Sequence, residues 1–228
     1  MSAFHDSALV GASGQQGYQI SRSLRFNSAD SAYCTRSISS TGSATTATYS
    51  WWVKRGLISG ARRTMFSHKI SSSGINSTNF EFSASEALNI TLASTADTNY
   101  AQITSAVFRD PSAWYHLVIA VDTTQATAAN RVRIYVNGSE ITTFSSTNYP
   151  PQNTTLRLSN SSYPHTIGVD PRDGTYFDGY ITEFHSIDGQ QLTPSSFGET
   201  DTITGVWKPK KYAGTYGTNG FYLNFSDN

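Results

Sequence analysis

The residues best placed to do chemistry lie in GVDPRDGTYFDG, positions 168 to 179. Asp170, Asp173 and Asp178 sit close together there, and the Asp-Gly turns beside them expose backbone carbonyls. Calcium prefers clustered carboxylate and carbonyl oxygens, which makes this loop the candidate metal site. The D-x-D-x-D spacing of a helical calcium loop is absent, however, and a tight turn whose aspartates cap backbone groups is the alternative. No motif requires a cofactor. Tyr176 in the same loop, with Trp207 and Tyr212 further on, offers rings that stack on a sugar face; core or interface packing is the competing use of each.

Hydrolysis of a glycosidic bond needs two carboxyl groups at a fixed separation. The chain has five glutamates, and the two closest in sequence are Glu81 and Glu86 in FEFSASE. A separation of five residues puts them on opposite faces of a strand. There is no G-x-S-x-G elbow, no H-E-x-x-H and no paired Cys/His spacing. His68, His116 and His185 fall in strand-like segments and read as hydrogen-bonded structural residues. These absences point to a protein that is not an enzyme. Glu183 poses a separate question. Alternation places it with Phe177, Gly179, Ile181 and Ile187, so either a bulge turns it outward or it is a buried carboxylate held by backbone donors or an arginine.

The elements that must position these residues are strands. ATYSWWVKR alternates Trp51 and Val53 against Trp52 and Lys54. RVRIYVNG sets Val132, Ile134 and Val136 against Arg131, Arg133 and Tyr135, and ends in Asn137-Gly138, a type I′ turn signal with SEITTF as the partner strand. AWYHLVIAVD is apolar on both faces and predicts a central strand covered on both sides. TMFSHK, FEFSA, LNITL and FYLNF are further short strands between Ser, Gly and Asn clusters. The one helix signal is Thr193 as N-cap with Pro194 and SSFGE behind it. The pattern predicts an all-β, two-sheet antiparallel sandwich over residues 18–228, preceded by a Gly/Ser-rich N-terminal arm over residues 1–17.

Composition narrows the partners. The 228 residues carry 16 Lys+Arg and 16 Asp+Glu, a formal net charge of zero. No basic stripe is available for nucleic acid or an anionic membrane. Charged residues make up 14% of the chain, and Ser, Thr, Asn and Gly supply its polarity instead. No apolar run is long enough to span a bilayer, and the N-terminus lacks the basic-then-apolar pattern of a signal peptide. The single cysteine, Cys34, excludes an intrachain disulfide and reads as a small buried hydrophobe.

Several segments together resemble the second half of a laminin-G-like domain, the concanavalin A-like lectin/glucanase jelly roll. They are DPSAWYHLVIAVD, RVRIYVNG and FDGYITEFHSIDGQQLTPSSFGE, in that order. The matching positions are Trp114, His116 and Leu117; Ile134, Tyr135, Val136, Asn137 and Gly138; and Phe177, Gly179, Ile181 and Glu183. These are fold motifs. The E-x-D-x-E strand that carries catalysis in glucanases of this fold is missing. SLRFNSADSAYCTR, SWWVKRG and the stretch from FDGYITEF to FYLNF further resemble laminin-G-like domains of virion proteins in marine tailed phages. That resemblance spans residues 18–228.

The resemblance implies a structural virion protein: a tail fibre, adaptor or surface decoration made in the host cytoplasm. Its arm would contact other virion proteins, and it would form a homo-oligomer, a trimer by preference. The alternative is a carbohydrate-binding adhesin for host surface glycans, assisted by calcium at the aspartate loop. A glycosidase is the third and weakest reading.

Overall fold

The computed structural model of the chain describes residues 17–68 and 77–226. The arm expected over residues 1–17 therefore lies, apart from Gly17, outside the described residues. β-Branched and aromatic residues alternating with Ser, Thr and Asn make strands of most of the rest. In chain order they are β1 (Leu24–Phe26), β2 (Cys34–Arg36), β3 (Thr46–Arg55), β4 (Arg63–His68), β5 (Thr78–Phe82), β6 (Ala87–Ala93), β7 (Asn99–Val107), β8 (Trp114–Asp122) and β9 (Val132–Val136). Then follow β10 (Ser139–Glu140), β11 (Phe144–Thr147), β12 (His165–Ile167), β13 (Val169–Asp170), β14 (Thr175–Tyr176), β15 (Gly179–Asp188), β16 (Gly198–Thr200), β17 (Trp207–Pro209) and β18 (Phe221–Leu223).

Among the described residues these strands form two large sheets and one small hairpin, β16–β17. The first sheet runs β1-β15-β3-β8-β9-β10, with β18 also paired to β15. The second runs β11-β7-β6-β5-β4-β12-β2, with β13 and β14 attached beside β4. Inward residues of both sheets fill one core. Tyr49, Trp51, Leu117, Ile119 and Phe184 come from the first sheet, and Phe66, Phe80, Leu88 and Ile90 from the second. The rings of Tyr49, Phe66 and Phe80 meet at 5.0–5.1 Å. The molecule is the all-β sandwich its alternation predicts.

β8 is central and buried on both faces. Its outward Val118 and Ala120 pack with Tyr135, Ile187 and Phe197, and with Leu192, Tyr212 and Tyr216 around them. The chain after β15 thus lays a third layer over part of the first sheet.

Local details depart from the sequence reading in three places. Asn137 and Gly138 both have positive φ (49° and 82°), as a type I′ turn needs. SEITTF, however, stays with β9 only briefly, through Ser139 and Glu140 and the Ile141 amide, which donates to the Ile134 carbonyl; Ile141 packs against the core, and β11 joins β7 in the other sheet. The helix after Thr193 is a single 3-10 turn, Pro194–Ser196, because Phe197 drops into the outer layer. A four-residue α-helix, Ala128–Arg131, precedes β9 without a sequence signal. Gly179 fits where nothing larger does: φ is 145°, and a Cβ would stand 2.2 Å from the Lys54 carbonyl.

Candidate functional site

The outer layer covers only half of the first sheet, and the register shows what the other half presents. Arg25 pairs with Tyr180, Tyr180 with Lys54, and Lys54 with Trp114. These four therefore stand side by side in one row across β1, β15, β3 and β8, all on the outer face. The next row is Thr182, Trp52 and His116. Trp114 is 36% exposed and Tyr180 37% exposed, and their ring centroids lie 6.5 Å apart at 56°. The Arg25 guanidinium sits 5.2 Å from the centre of the Tyr180 ring and also reaches Asp178 at 3.0 Å.

A cleft of about 400 Å³ opens beside this row. Trp52 and Trp114 form its floor with Thr182, Ile20 and Arg22 form one wall, and Pro209 closes the far side. The wall is held by two hydrogen bonds. Thr182 Oγ1 donates to the Arg22 carbonyl at 2.5 Å, and Arg22 Nη1 donates to the Ser226 carbonyl at 2.6 Å. Open rings flanked by hydroxyls and cations suit a sugar, whose C–H face packs on an aromatic ring while its hydroxyls bond at the edges.

The boundary between shelf and outer layer is a buried polar chain. Trp207 Nε1 donates to His116 Nδ1 at 2.9 Å, and His116 Nε2 lies 2.9 Å from Ser50 Oγ. An indole N–H only donates, so Nδ1 must be the bare nitrogen and Nε2 must carry the proton. Nε2 is thus a donor to Ser50 and cannot take its proton. A serine nucleophile needs the opposite tautomer. Burial, with His185 nearby, lowers the His116 pKa to about 3, so the ring stays neutral. Trp52 stacks on this imidazole at 4.8 Å, which links the polar chain to the shelf floor.

Glu183 resolves its puzzle through a bulge. The register of β15 shifts between Thr182 and His185, and Glu183 has φ 50°. The bulge sends Phe184 into the core and Glu183 out under the covering chain, where it remains buried. Its donors are phenols: Tyr18 at 2.7 Å and Tyr222 at 2.6 Å, with His185 Nε2 3.8 Å away. Burial alone would raise this carboxyl, but the nearby His185 ring and the bonds from Tyr18 and Tyr222 outweigh it and hold the pKa below the usual range.

The three aspartates do not share one site: Asp170 and Asp173 meet the same two arginines, Arg62 and Arg172, while Asp178 stands apart. Asp178 accepts from Arg25 and from the Ser28 amide and hydroxyl. Asp170 is fully buried and accepts from Asn79 Nδ2 and from the Arg172 amide and guanidinium. Asp173 accepts from Arg62 at 2.7 Å. Arginines stand where a cation would, and among the described residues no three His, Cys, Asp or Glu side chains are grouped to hold a metal ion. Nor do the three expected stacking residues meet. Tyr176 leans on Tyr33, Trp207 lies over His116, and Tyr212 packs on Phe197 and Tyr216 in the outer layer. Glu81 and Glu86 are likewise taken: Arg62 and Asn89 hold Glu81, and Arg55 holds Glu86.

The open rings are instead Trp114 and Tyr180, with Trp52 behind them. Alternation already puts Trp52, Lys54 and Trp114 outward on their strands. Only the pairing register aligns them with Tyr180 and Arg25.

A two-sheet sandwich with an open aromatic row on one outer face describes a lectin-like domain. Residues 27–195 match the concanavalin A-like lectin/glucanases superfamily, and the chain belongs to that family. No curated protein matches the sequence significantly. Its fold is similar to that of the heptameric SAP-like pentraxin from Limulus polyphemus (15% identity, TM-score 0.50), across 91% of this chain and 89% of that one. It is also similar to the binding domain of Paraclostridial Mosquitocidal Protein 1 (14% identity, TM-score 0.51), across 76% of this chain and 41% of that one. The Ruminococcus gnavus IT-sialidase CBM40 matches at 13% identity and TM-score 0.47, across 72% of this chain and 95% of that one. At these identities the likeness is one of fold.

Proposed function

We propose that this chain is a non-catalytic carbohydrate-binding domain that lays a glycan across the Trp114–Tyr180 shelf. The observation that carries the reading is the row itself: two exposed rings in one cross-strand register, one of which, Trp114, also lines a cleft of about 400 Å³. Membership of a lectin and glucanase superfamily agrees with it. The absence of catalysis rests on chemistry. Glu81 and Glu86 are each committed to an arginine, and the Ser50–His116 pair holds its proton on the wrong nitrogen. Screening the purified chain on a glycan array, followed by calorimetry, tests the reading. Trp114→Ala and Tyr180→Ala should each weaken binding about tenfold, roughly the value of a stacked ring with its buried area. Unchanged affinity in both variants would place any glycan elsewhere and overturn the assignment.

A second reading sets this domain on a phage particle, where attachment to a host glycan would be its use. What supports it is the resemblance of SLRFNSADSAYCTR, SWWVKRG and the FDGYITEF segment to virion laminin-G-like domains. Quantifying the chain in purified particles tests it. A fixed copy number per particle is expected, and its absence from particles would end the idea.

A further inference from the structure

We infer that the glycan taken by this shelf is anionic, carrying carboxylate or sulfate groups along its length. The inference rests on the shelf being the glycan site. Its ground is the charge built into the row. Lys54 stands in register between the two stacking residues, Tyr180 on one side and Trp114 on the other. Arg25 flanks Tyr180, and Arg22 forms part of the cleft wall. A sugar resting on either ring therefore has a cation beside it.

The acids at the shelf cancel only part of this set. Asp178 pairs with Arg25 and also accepts from Ser28. Asp110 interacts with Lys54 electrostatically without forming an ion pair, its Oδ1 accepting from the amide and hydroxyl of Ser112. Glu183 is enclosed by Tyr18 and Tyr222. Among the described residues neither Lys54 nor Arg22 makes an ion pair. Arg22 spends one nitrogen on the Ser226 carbonyl, which fixes its position, and among the described residues no acid compensates its charge. The whole chain has a formal net charge of zero, so this local excess does not follow from a generally basic surface. A neutral glycan would leave Lys54 and Arg22 without ion-pair partners among the described residues. An acidic one supplies carboxylate or sulfate oxygens that accept charge-assisted bonds from them.

The test compares three oligosaccharides of equal length by calorimetry at low and high salt: a neutral galactan, an oligogalacturonate and a sulfated galactan. The two acidic probes separate carboxylate from sulfate recognition, and binding of either in preference to the neutral probe supports the inference. Lys54→Gln and Arg22→Gln should each lower affinity for the acidic probe about three- to fivefold, near the upper range of an exposed ion pair. Binding of the neutral probe should fall less than binding of the acidic one in both variants, and added salt should erase that difference. Trp114→Ala should weaken all binding alike. Equal affinity for neutral and acidic probes, with the loss on Trp114→Ala retained, overturns the acidic preference while the shelf stands. No binding of any probe overturns both.

Discussion

Glu183 shows how one carboxylate can fix a chain entry. Tyr18 lies just before the wall that borders the cleft, and its hydroxyl donates to Glu183, as does that of Tyr222. Burial of Tyr18 and its bond to Glu183 both raise the phenol pKa, so the hydroxyl keeps its proton at any ordinary pH. The stability this contributes has a defined pH sign. The folded pKa of Glu183 is depressed, so the contribution is present above the unfolded value of about 4.3 and is lost as pH falls through the folded value. Glu183→Gln keeps the shape but loses the charge and gains an amide N–H₂ that needs an acceptor. It should cost about 1.5–3 kcal/mol near neutrality, the range for hydrogen bonds to a charged group. The gap between variant and wild type should narrow in acid. Urea unfolding at neutral pH and at about pH 3.5, below that unfolded value, measures both. No cost at neutral pH, or a gap that persists in acid, would mean the carboxylate does not act through its charge.

Elements fix where the shelf ends. The β16–β17 hairpin brings Trp207 over the β9–β10 turn, where a Cβ on Gly138 would stand 2.5 Å from the indole. That turn also needs its positive φ of 82°. Gly189 has nearly the same φ, 84°, with nothing within 4 Å of a Cβ. Gly189→Ala should therefore show only the backbone cost, about 1–2 kcal/mol for a left-handed residue. Gly138→Ala should show that cost plus displacement of Trp207 from His116, visible as a shift in tryptophan fluorescence. Equal destabilisation of the two variants with no spectral change would mean the Trp207 contact carries no strain. This scale also marks what the sequence discloses. The strand pattern, the Asn137-Gly138 turn and the double-sided burial of β8 follow from alternation and turn chemistry. The bulge at Glu183 follows only as one of two alternatives, because a glutamate that alternation places among apolar residues fits either a bulge or a buried carboxylate, and the structure shows both. The shelf was half visible: Trp52, Lys54 and Trp114 point outward by alternation, but register between distant strands is a tertiary property. Asp170, Asp173 and Asp178 read as a cluster because they are neighbours in the chain; in space Arg62 and Arg172 occupy the ground between Asp170 and Asp173, and Asp178 turns away to Arg25.

At the scale of the molecule, both sheets carry histidines buried as neutral rings. Burial lowers His68 to about 4 and His116 to about 3, and takes His165 well below its ordinary range. His68 and His165 meet edge to face at 4.5 Å inside the second sheet, while His116 lies under Trp207 on the first. Each has a folded pKa beneath the unfolded value of about 6.5, so unfolding takes up a proton at each site once the pH drops below that value. Stability is then complete above about pH 6.5 and falls as pH descends toward the folded values. The slope sums to about 1.4 kcal/mol per pH unit for each histidine, or about 4 kcal/mol per unit for all three, before the carboxylates begin to titrate. Against a total stability of about 5–15 kcal/mol, that is enough to unfold the domain in mild acid. Thermal unfolding at a series of pH values should show Tm steady above neutrality and falling steeply between about pH 6 and 4.5, the interval bounded by the ordinary histidine and carboxylate values. A flat Tm across that interval would show that the buried rings accept protons without opening the sandwich. A protein that binds glycans at neutral pH would on this account lose its shelf in acid because the sandwich beneath it comes apart.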